Sequence, residues 1–248
     1  MAGSRTETVV GDFNRILEPG SPWVQASFPL PGGETWEYRE PGAVVLVRNG
    51  CLQVAAVPYT RSNDRAQMLD NAKHMYFSRD RFAVPAGGEI TFEIQVAART
   101  AGTRPGDLYD GYVSWNLLDF STGWALDFFT SGDTVATVYG RLPFPGVTIP
   151  DTGPARVFCI FNELKDYPAV PGQVHSYRIT YDQGADTVEF EAGGRVVDRY
   201  ENVPDKITGF TAALGLMSEI DIVDRQSVSC HGQGVIGRWS PMRVTTEG

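Results

Sequence analysis

The stretch His175–Pro204, HSYRITYDQGADTVEFEAGGRVVDRYENVP, decides the fold. Tyr177, Ile179 and Tyr181 alternate with polar residues, DQGAD turns the chain, Val188 and Phe190 alternate again, and AGG turns it once more before Arg195. A period of two puts each apolar set on one face of a strand, and short Gly-containing turns join antiparallel neighbours. The stretch therefore reads as three short antiparallel strands.

The same grammar extends outward in both directions. With 27 Gly and 16 Pro, the chain is cut into short segments, and few windows hold apolar residues at helical spacing for more than two turns. β-Branched and aromatic enrichment marks strands at AVVLVRNG, CLQVAAV, EITFEIQVAA, GYVSWNLLDF, WALDFFT, TVATVYGRL, RVFCIFNEL, FTAALGLM and GRWSPMRV. NDRAQMLDNAKHMYFS, residues 63–78, is the best helix candidate but reads better as a long covering loop. No repeat or break in composition divides the 248 residues. A single domain over 1–248 is expected, with 1–80 adding N-terminal strands and a covering loop and 81–248 forming the main sandwich.

The Tyr-rich pattern HxYxxxYD…xVxFxxxGxxV resembles the meander shared by concanavalin-like jelly rolls, among them laminarinases, lectins and laminin-G modules. That resemblance implies an all-β, antiparallel two-sheet jelly-roll sandwich with a concave inner sheet, and it carries fold rather than activity. The block LLDFSTG…LDFF…Y-x-RLPF supplies a more specific one. From about Phe82 to Val244 the chain is similar to functionally uncharacterised actinobacterial sandwich proteins, some of them linked to natural-product pathways. The second resemblance implies a small apolar ligand and transfers no catalytic residue.

Composition excludes several classes. Thirty Asp and Glu against 21 Lys and Arg give a net charge of −9, which argues against nucleic acid as a partner. The N-terminus lacks the basic start and apolar run of a secretion signal, and no stretch is long enough to span a membrane, so a cytoplasmic chain without a membrane partner is expected. Cys51, Cys159 and Cys230 have no C-x-x-C spacing and read as reduced thiols. His74, His175 and His231 lack metal-ligand spacing, so no metal is expected. The glycine-rich nucleotide motifs and the G-x-S-x-G elbow are absent, so no cofactor is expected either. Of the three histidines, His74 is the one read as an acid or base.

Two stretches compete for the chemistry. In MSEIDIVDRQ, Met217–Gln226, the residues Glu219, Asp221 and Asp224 resemble the E-x-D-x-x-[DE] row of laminarinase-like glycoside hydrolases. In those enzymes the row precedes the Tyr-rich meander, whereas here it follows, and Asp224 is one methylene shorter than Glu. An exposed strand end is the expected reading.

The other stretch, Tyr112 to Glu163, is the densest in aromatic and polar groups. Alternation puts Asp127 with Phe129, Tyr139 with Arg141, and Phe161 with Glu163. If those faces line one groove, Asp127, Tyr139, Arg141 and Glu163 converge, with Trp115, Asn116, Phe129 and Phe161 as ligand-binding walls; otherwise Arg141 forms a structural ion pair. The expected function is a cofactor-independent cyclase or isomerase acting on an apolar natural-product intermediate. In it Tyr139 and Arg141 donate hydrogen bonds, and Asp127 or Glu163 accepts. The alternatives are a carbohydrate- or ligand-binding module and a hydrolase using Glu219 and Asp224.

Overall fold

A computed structural model describes residues 4–16, 18–30, 32–64, 71–219 and 230–248. Apart from two single-turn 3-10 helices, Phe13–Arg15 and Leu108–Asp110, the regular structure is strand. The N-terminal strands are β1 (Arg5–Val10), β2 (Trp23–Gln25), β3 (Ser27–Pro29), β4 (Thr35–Glu37), β5 (Val44–Arg48), β6 (Cys51–Ala56) and β7 (Asn71–Ser78). The middle of the chain forms β8 (Phe82–Ala83), β9 (Glu89–Ala101), β10 (Tyr112–Asp119), β11 (Trp124–Thr130), β12 (Val135–Arg141) and β13 (Phe158–Glu163). The last six are β14 (Val174–Asp182), β15 (Thr187–Ala192), β16 (Arg195–Glu201), β17 (Gly209–Glu219), β18 (Gly234–Trp239) and β19 (Met242–Glu247).

Two large antiparallel sheets stack as the expected jelly-roll sandwich. The first runs β16-β15-β14-β9-β18-β6-β5, with β19 also on β9 and β1 on β19. The second runs β13-β12-β11-β10-β17-β7-β2, with β8 on β17, while β3 and β4 form a separate hairpin. The opening stretch pairs in sequence order, with Ile179 opposite Phe190 and Tyr181 opposite Val188, and β16 follows on β15. Gly193 and Gly194 take φ of 58° and 77° in the AGG turn, a left-handed pair that a Cβ would strain.

The facing sheets meet in an aromatic layer. The Phe128 ring lies 4.2 Å from that of Tyr177 and nearly parallel to it, 5.6 Å from Phe190, and 6.1 Å from Trp115. Tyr181 and Phe190 are buried, as their alternation requires. Each such side chain stabilises the fold by roughly 1.5–3 kcal/mol.

Asn71–Ser78 departs from the expected covering loop: it is strand β7, paired with β17 on one side and β2 on the other. Residues 65–70 of that expected loop lie outside the described residues. Every position of NAKHMYFS except Phe77 is buried, so no exposed polar face marks the period of two. The second sheet as a whole explains why, because β10, β11 and β12 are buried at every position. One of its faces meets the first sheet. Over the other, Ala26, Leu30 and Tyr38 from around the β3–β4 hairpin, together with Phe144, pack against Met75, Leu118, Phe129, Val138 and Met217.

Candidate functional site

The site lies on the face of the second sheet that is turned away from the first. Register sets its side chains in rows across the strands. One row runs Phe161, Val138, Asp127, Asn116, Ala213, Phe77 from β13 to β7, and the next runs Glu163, Ala136, Phe129, Ser114, Gly215, Met75. A third brings Tyr112, Met217 and Lys73 together. Asp127 sits two strands in from the β13 edge, roughly 10 Å at ordinary strand spacing.

Asp127 is 5% exposed, and among the described residues its Oδ1 has no hydrogen-bond partner. Burial pushes its carboxyl up to about 8; the Glu219 charge adds to the rise, while a hydrogen bond from Asn116 and the Lys73 charge oppose it. The Ser114 hydroxyl donates to Asn116 Oδ1 at 2.8 Å, which leaves the amide N–H end of Asn116 for Asp127. Nearby, Lys73 Nζ lies 2.6 Å from Glu219 Oε1, and the Tyr112 hydroxyl donates to Glu219 Oε2 at 2.6 Å. Burial, then the Glu219 charge, holds the Tyr112 hydroxyl well above its ordinary range, so it stays a donor. Burial likewise pushes the Cys159 thiol up to about 12, with help from Asp127 and Glu219.

Aromatic rings lead from this cluster to the open edge of the sheet. Tyr112 lies 4.4 Å from Phe129, Phe129 lies 6.0 Å from Phe161, and Phe161 lies 5.2 Å from Tyr109, centroid to centroid. Phe161, Cys159 and Tyr109 are half-buried and Glu163 is exposed, so β13 and the 3-10 turn Leu108–Asp110 form the more solvent-accessible margin of this face. Among the described residues, no three His, Cys, Asp or Glu side chains gather as metal ligands. A concavity of about 400 Å³ lies elsewhere, on the outer side of the first sheet. Its walls include Arg178, which is already ion-paired with Glu93 and Glu191.

The register thus brings Asp127, Asn116, Phe129, Phe161 and Glu163 onto one face and separates them from the other expected residues. Tyr139 and Arg141 point the opposite way, because Asp127 is paired with Val138 and the next position flips. Tyr139 stacks on Tyr200 at 4.1 Å within the sandwich. Arg141 donates to the carbonyls of Thr122 (3.0 Å) and Ala155 (2.8 Å) and is ion-paired with Asp205, which makes it a structural cation. Trp115 belongs to the same inter-sheet layer. His74 does too: its Nδ1 accepts the Glu40 backbone N–H at 3.3 Å and its Nε2 lies 2.8 Å from the Tyr76 hydroxyl. Burial lowers its pKa to about 4, so it is neutral at ordinary pH with both nitrogens engaged, and it is not the expected acid or base.

Glu219 is corrected in the other direction. The expected exposed strand end is a 7% exposed residue at the end of β17. Asp221 and Asp224 lie outside the described residues. Lys73, Tyr112 and Ser114 were not singled out from sequence. The one signal for Lys73 was a cation sharing a period-two face with Met75 and Phe77.

A family model described as a family of unknown function, DUF6081, matches residues 10–248. The chain belongs to DUF6081. No curated protein matches this DUF6081 chain. Solved structures similar to it include an endo-acting O-glycanase of the human gut microbiota, at 13% identity and a TM-score of 0.59 over 96% of this chain and 97% of the other. An endo-1,3-β-glucanase from Streptomyces sioyaensis matches at 15% identity and a TM-score of 0.57, over 90% and 88%. LamA from Z. galactanivorans, solved with laminaritriose and laminaritetraose, matches at 10% identity and a TM-score of 0.57, over 100% and 99%. These similarities establish the laminarinase-like jelly roll for this DUF6081 member. They also overturn the expected cyclase or isomerase of apolar natural-product intermediates, since the similar structures named above are an O-glycanase, an endo-glucanase and a protein solved with laminarin oligosaccharides. The donors assigned to that reaction, Tyr139 and Arg141, moreover lie on the wrong face.

Proposed function

We propose that the chain is a glycan-cleaving enzyme in which Asp127 supplies the proton that a departing sugar oxygen needs. The observation that carries this reading is the state of that one carboxyl. With its pKa pushed up to about 8, it holds its proton at neutral pH, and among the described residues its Oδ1 is not committed to any other group. A glycosidic oxygen leaves readily only when protonated, and a carboxyl raised by burial is the usual donor. The Ser114–Asn116 pair fixes the carboxyl's orientation, and Lys73 balances the charge of Glu219, so the cluster presents no net charge to a neutral sugar. Access is from the β13 edge, past Phe161 and Tyr109, whose rings offer apolar surface for a pyranose face. The similarity in fold to glucanases and an O-glycanase makes glycans the first substrates to test.

The test is release of reducing ends from a β-1,3-glucan, a β-1,3-1,4-glucan and mucin O-glycans. Wild type should cleave at least one, with the rate falling as pH rises through about 8, where Asp127 loses its proton. Asp127→Asn should fold and lose the activity. No cleavage of any of the three by wild type, or full activity in the variant, would sink the reading.

A further inference from the structure

We propose that Tyr38 is a substrate-binding residue of this face, its hydroxyl donating a hydrogen bond to a sugar oxygen at the end of the glycan chain remote from the β13 margin. The inference rests on the glycan-cleaving reading and deepens it, because it says how far across the sheet the substrate extends. Tyr38 is 1% exposed, and among the described residues its hydroxyl oxygen is buried without a hydrogen-bond partner. A buried donor left unmet costs stability, and folded chains satisfy nearly all such groups. The indole N–H groups of Trp23, Trp115 and Trp124 and the Tyr59 hydroxyl are unmet too, but they belong to the inter-sheet core. Tyr38 belongs instead to the cluster on the opposite face, with Met75, Phe129 and Met217. It therefore shares with Asp127 the condition of an unmet polar atom on the face where the site lies.

The backbone sets the ring in place. Tyr38 follows β4 and lies beside Met75 of β7: the Met75 N–H donates to the Tyr38 carbonyl at 2.9 Å, and the Tyr38 N–H donates to the Ala26 carbonyl at 2.9 Å. The Gln25 side-chain amide clamps the same corner, donating to the carbonyls of Tyr38 (2.5 Å) and Met75 (2.8 Å). The Tyr38 ring centroid then lies 5.4 Å from Lys73 Nζ, and Lys73 is paired with the Glu219 carboxylate that Tyr112 also reaches. Burial, then the Glu219 charge, holds the Tyr38 hydroxyl above its ordinary range, so it is a neutral donor. The Glu219 charge acts on Asp127 as well, so the acid and this hydroxyl border one polar cluster.

Asp127 on β11 and Tyr38 beyond β7 are four strand spacings apart, roughly 19 Å before either side chain reaches inward. A glycan laid across the strands from the Phe161–Tyr109 margin meets Asp127 first and Tyr38 several sugar units later. The cover stands over the far end of that path, and it is attached in a way that lets it yield. β3 and β4 pair with each other and with neither large sheet. Among the described residues, the arm between Ser27 and Glu37 makes no hydrogen bond to the body, and its polar tie is the Arg61 guanidinium, 3.7 Å over the Trp36 ring. Lifting the arm opens the Tyr38 hydroxyl to a sugar while the base at Gln25, Ala26 and Tyr38 stays hydrogen-bonded. A contact so far from the reacting bond adds binding rather than rate.

The experiment compares steady-state rates of the full chain on laminarihexaose and laminaritriose, with binding of the hexaose measured by titration calorimetry in an Asp127→Asn background. Tyr38→Phe removes the hydroxyl and keeps the ring over Lys73. It should raise KM for the hexaose about 3–10-fold, with the loss in KM rather than kcat, as one neutral hydrogen bond is worth. The triose, too short to reach Tyr38 from Asp127, should change by less than about twofold. In the Asp127→Asn background, Tyr38→Phe should weaken binding of the hexaose by the same factor as KM. Without glycan, the thermal midpoint of Tyr38→Phe should equal or exceed that of wild type, because the variant deletes an unmet buried donor. An unchanged KM for the hexaose, equal losses on hexaose and triose, or a lowered thermal midpoint would overturn the role of Tyr38 while leaving Asp127 as donor. If Asp127→Asn keeps the wild-type rate, or wild type cleaves neither the hexaose nor the three glycans above, the glycan-cleaving reading fails, and the inference with it.

Discussion

The two faces of the second sheet are both buried, yet they bury different things. The face toward the first sheet is an aromatic layer of Trp115, Phe128, Tyr177 and Phe190, and its strong cation, Arg141, reaches carbonyls and Asp205 at the margin. The opposite face has an apolar cover, but beneath it lie Lys73, Glu219, Tyr112 and a carboxyl with an unpartnered oxygen. An ionisable group held out of water with a polar atom unmet destabilises the fold. Unmet polar atoms occur on both faces, the indole N–H groups of Trp115 and Trp124 among them on the first. The buried Asp127 carboxyl, however, is a group that burial penalises once it ionises, so more stability is given up on the second face. That is the usual signature of a site rather than a core.

Four substitutions break or sharpen this contrast, in order of decreasing effect. Asp127→Asn should lower glycan cleavage by about 10²–10⁴-fold while leaving circular dichroism unchanged. Phe190→Ala, on the stabilising face, should cost about 3–5 kcal/mol in urea denaturation; an unchanged midpoint would mean that the aromatic layer is not the core. Lys73→Met should cost a similar amount or slightly less, because it strands the buried Glu219 charge, and the double variant Lys73→Met/Glu219→Leu should recover most of the loss. A double variant as unstable as the single one would show that the pair is worth more than its desolvation. Tyr139→Phe is the smallest, within about 0.5 kcal/mol and without effect on activity, since the ring stack on Tyr200 is kept. A large activity loss there would return the site to the inter-sheet face.

The pH dependence of stability separates the faces further. The Asp127 carboxyl titrates near 8 when folded against an ordinary 3.8, so folding binds a proton that the unfolded chain releases between those values. The contribution is therefore fully present below pH 3.8 and is lost as pH rises toward 8. Asp127→Asn should flatten that part of the curve and melt higher than wild type at pH 7.5. A wild type as stable at pH 7.5 as at pH 4.5, with the variant no different, would show that the carboxyl is not desolvated.

The meander was legible because its outer face is wet. Polar Arg178 and Thr180 separate Tyr177, Ile179 and Tyr181, so the period of two shows in the residues themselves. β7 was not legible. NAKHMYFS is buried on both faces, its polar members find partners inside the fold, and nothing in its composition distinguishes such a strand from a polar loop. The candidate site was half legible for a related reason. Alternation within WALDFFT correctly grouped Asp127 with Phe129, but alternation says nothing about which residue of the next strand stands opposite. The pairing of Asp127 with Val138, rather than Tyr139, divided the expected cluster between two faces.

By itself, then, the sequence determined the all-β architecture, the order of the meander strands and the sharing of a face by Asp127 and Phe129. Each of these depends on residues close together in the chain. Only the tertiary structure decided that Glu219 turns inward to Lys73 and Tyr112, that His74 is locked between Glu40 and Tyr76, and that His231 meets Asp110 across 121 positions. Those contacts depend on interstrand register and on which sheet face is covered, and both are set by the packing of distant segments, to which a local pattern of apolar and polar residues is blind.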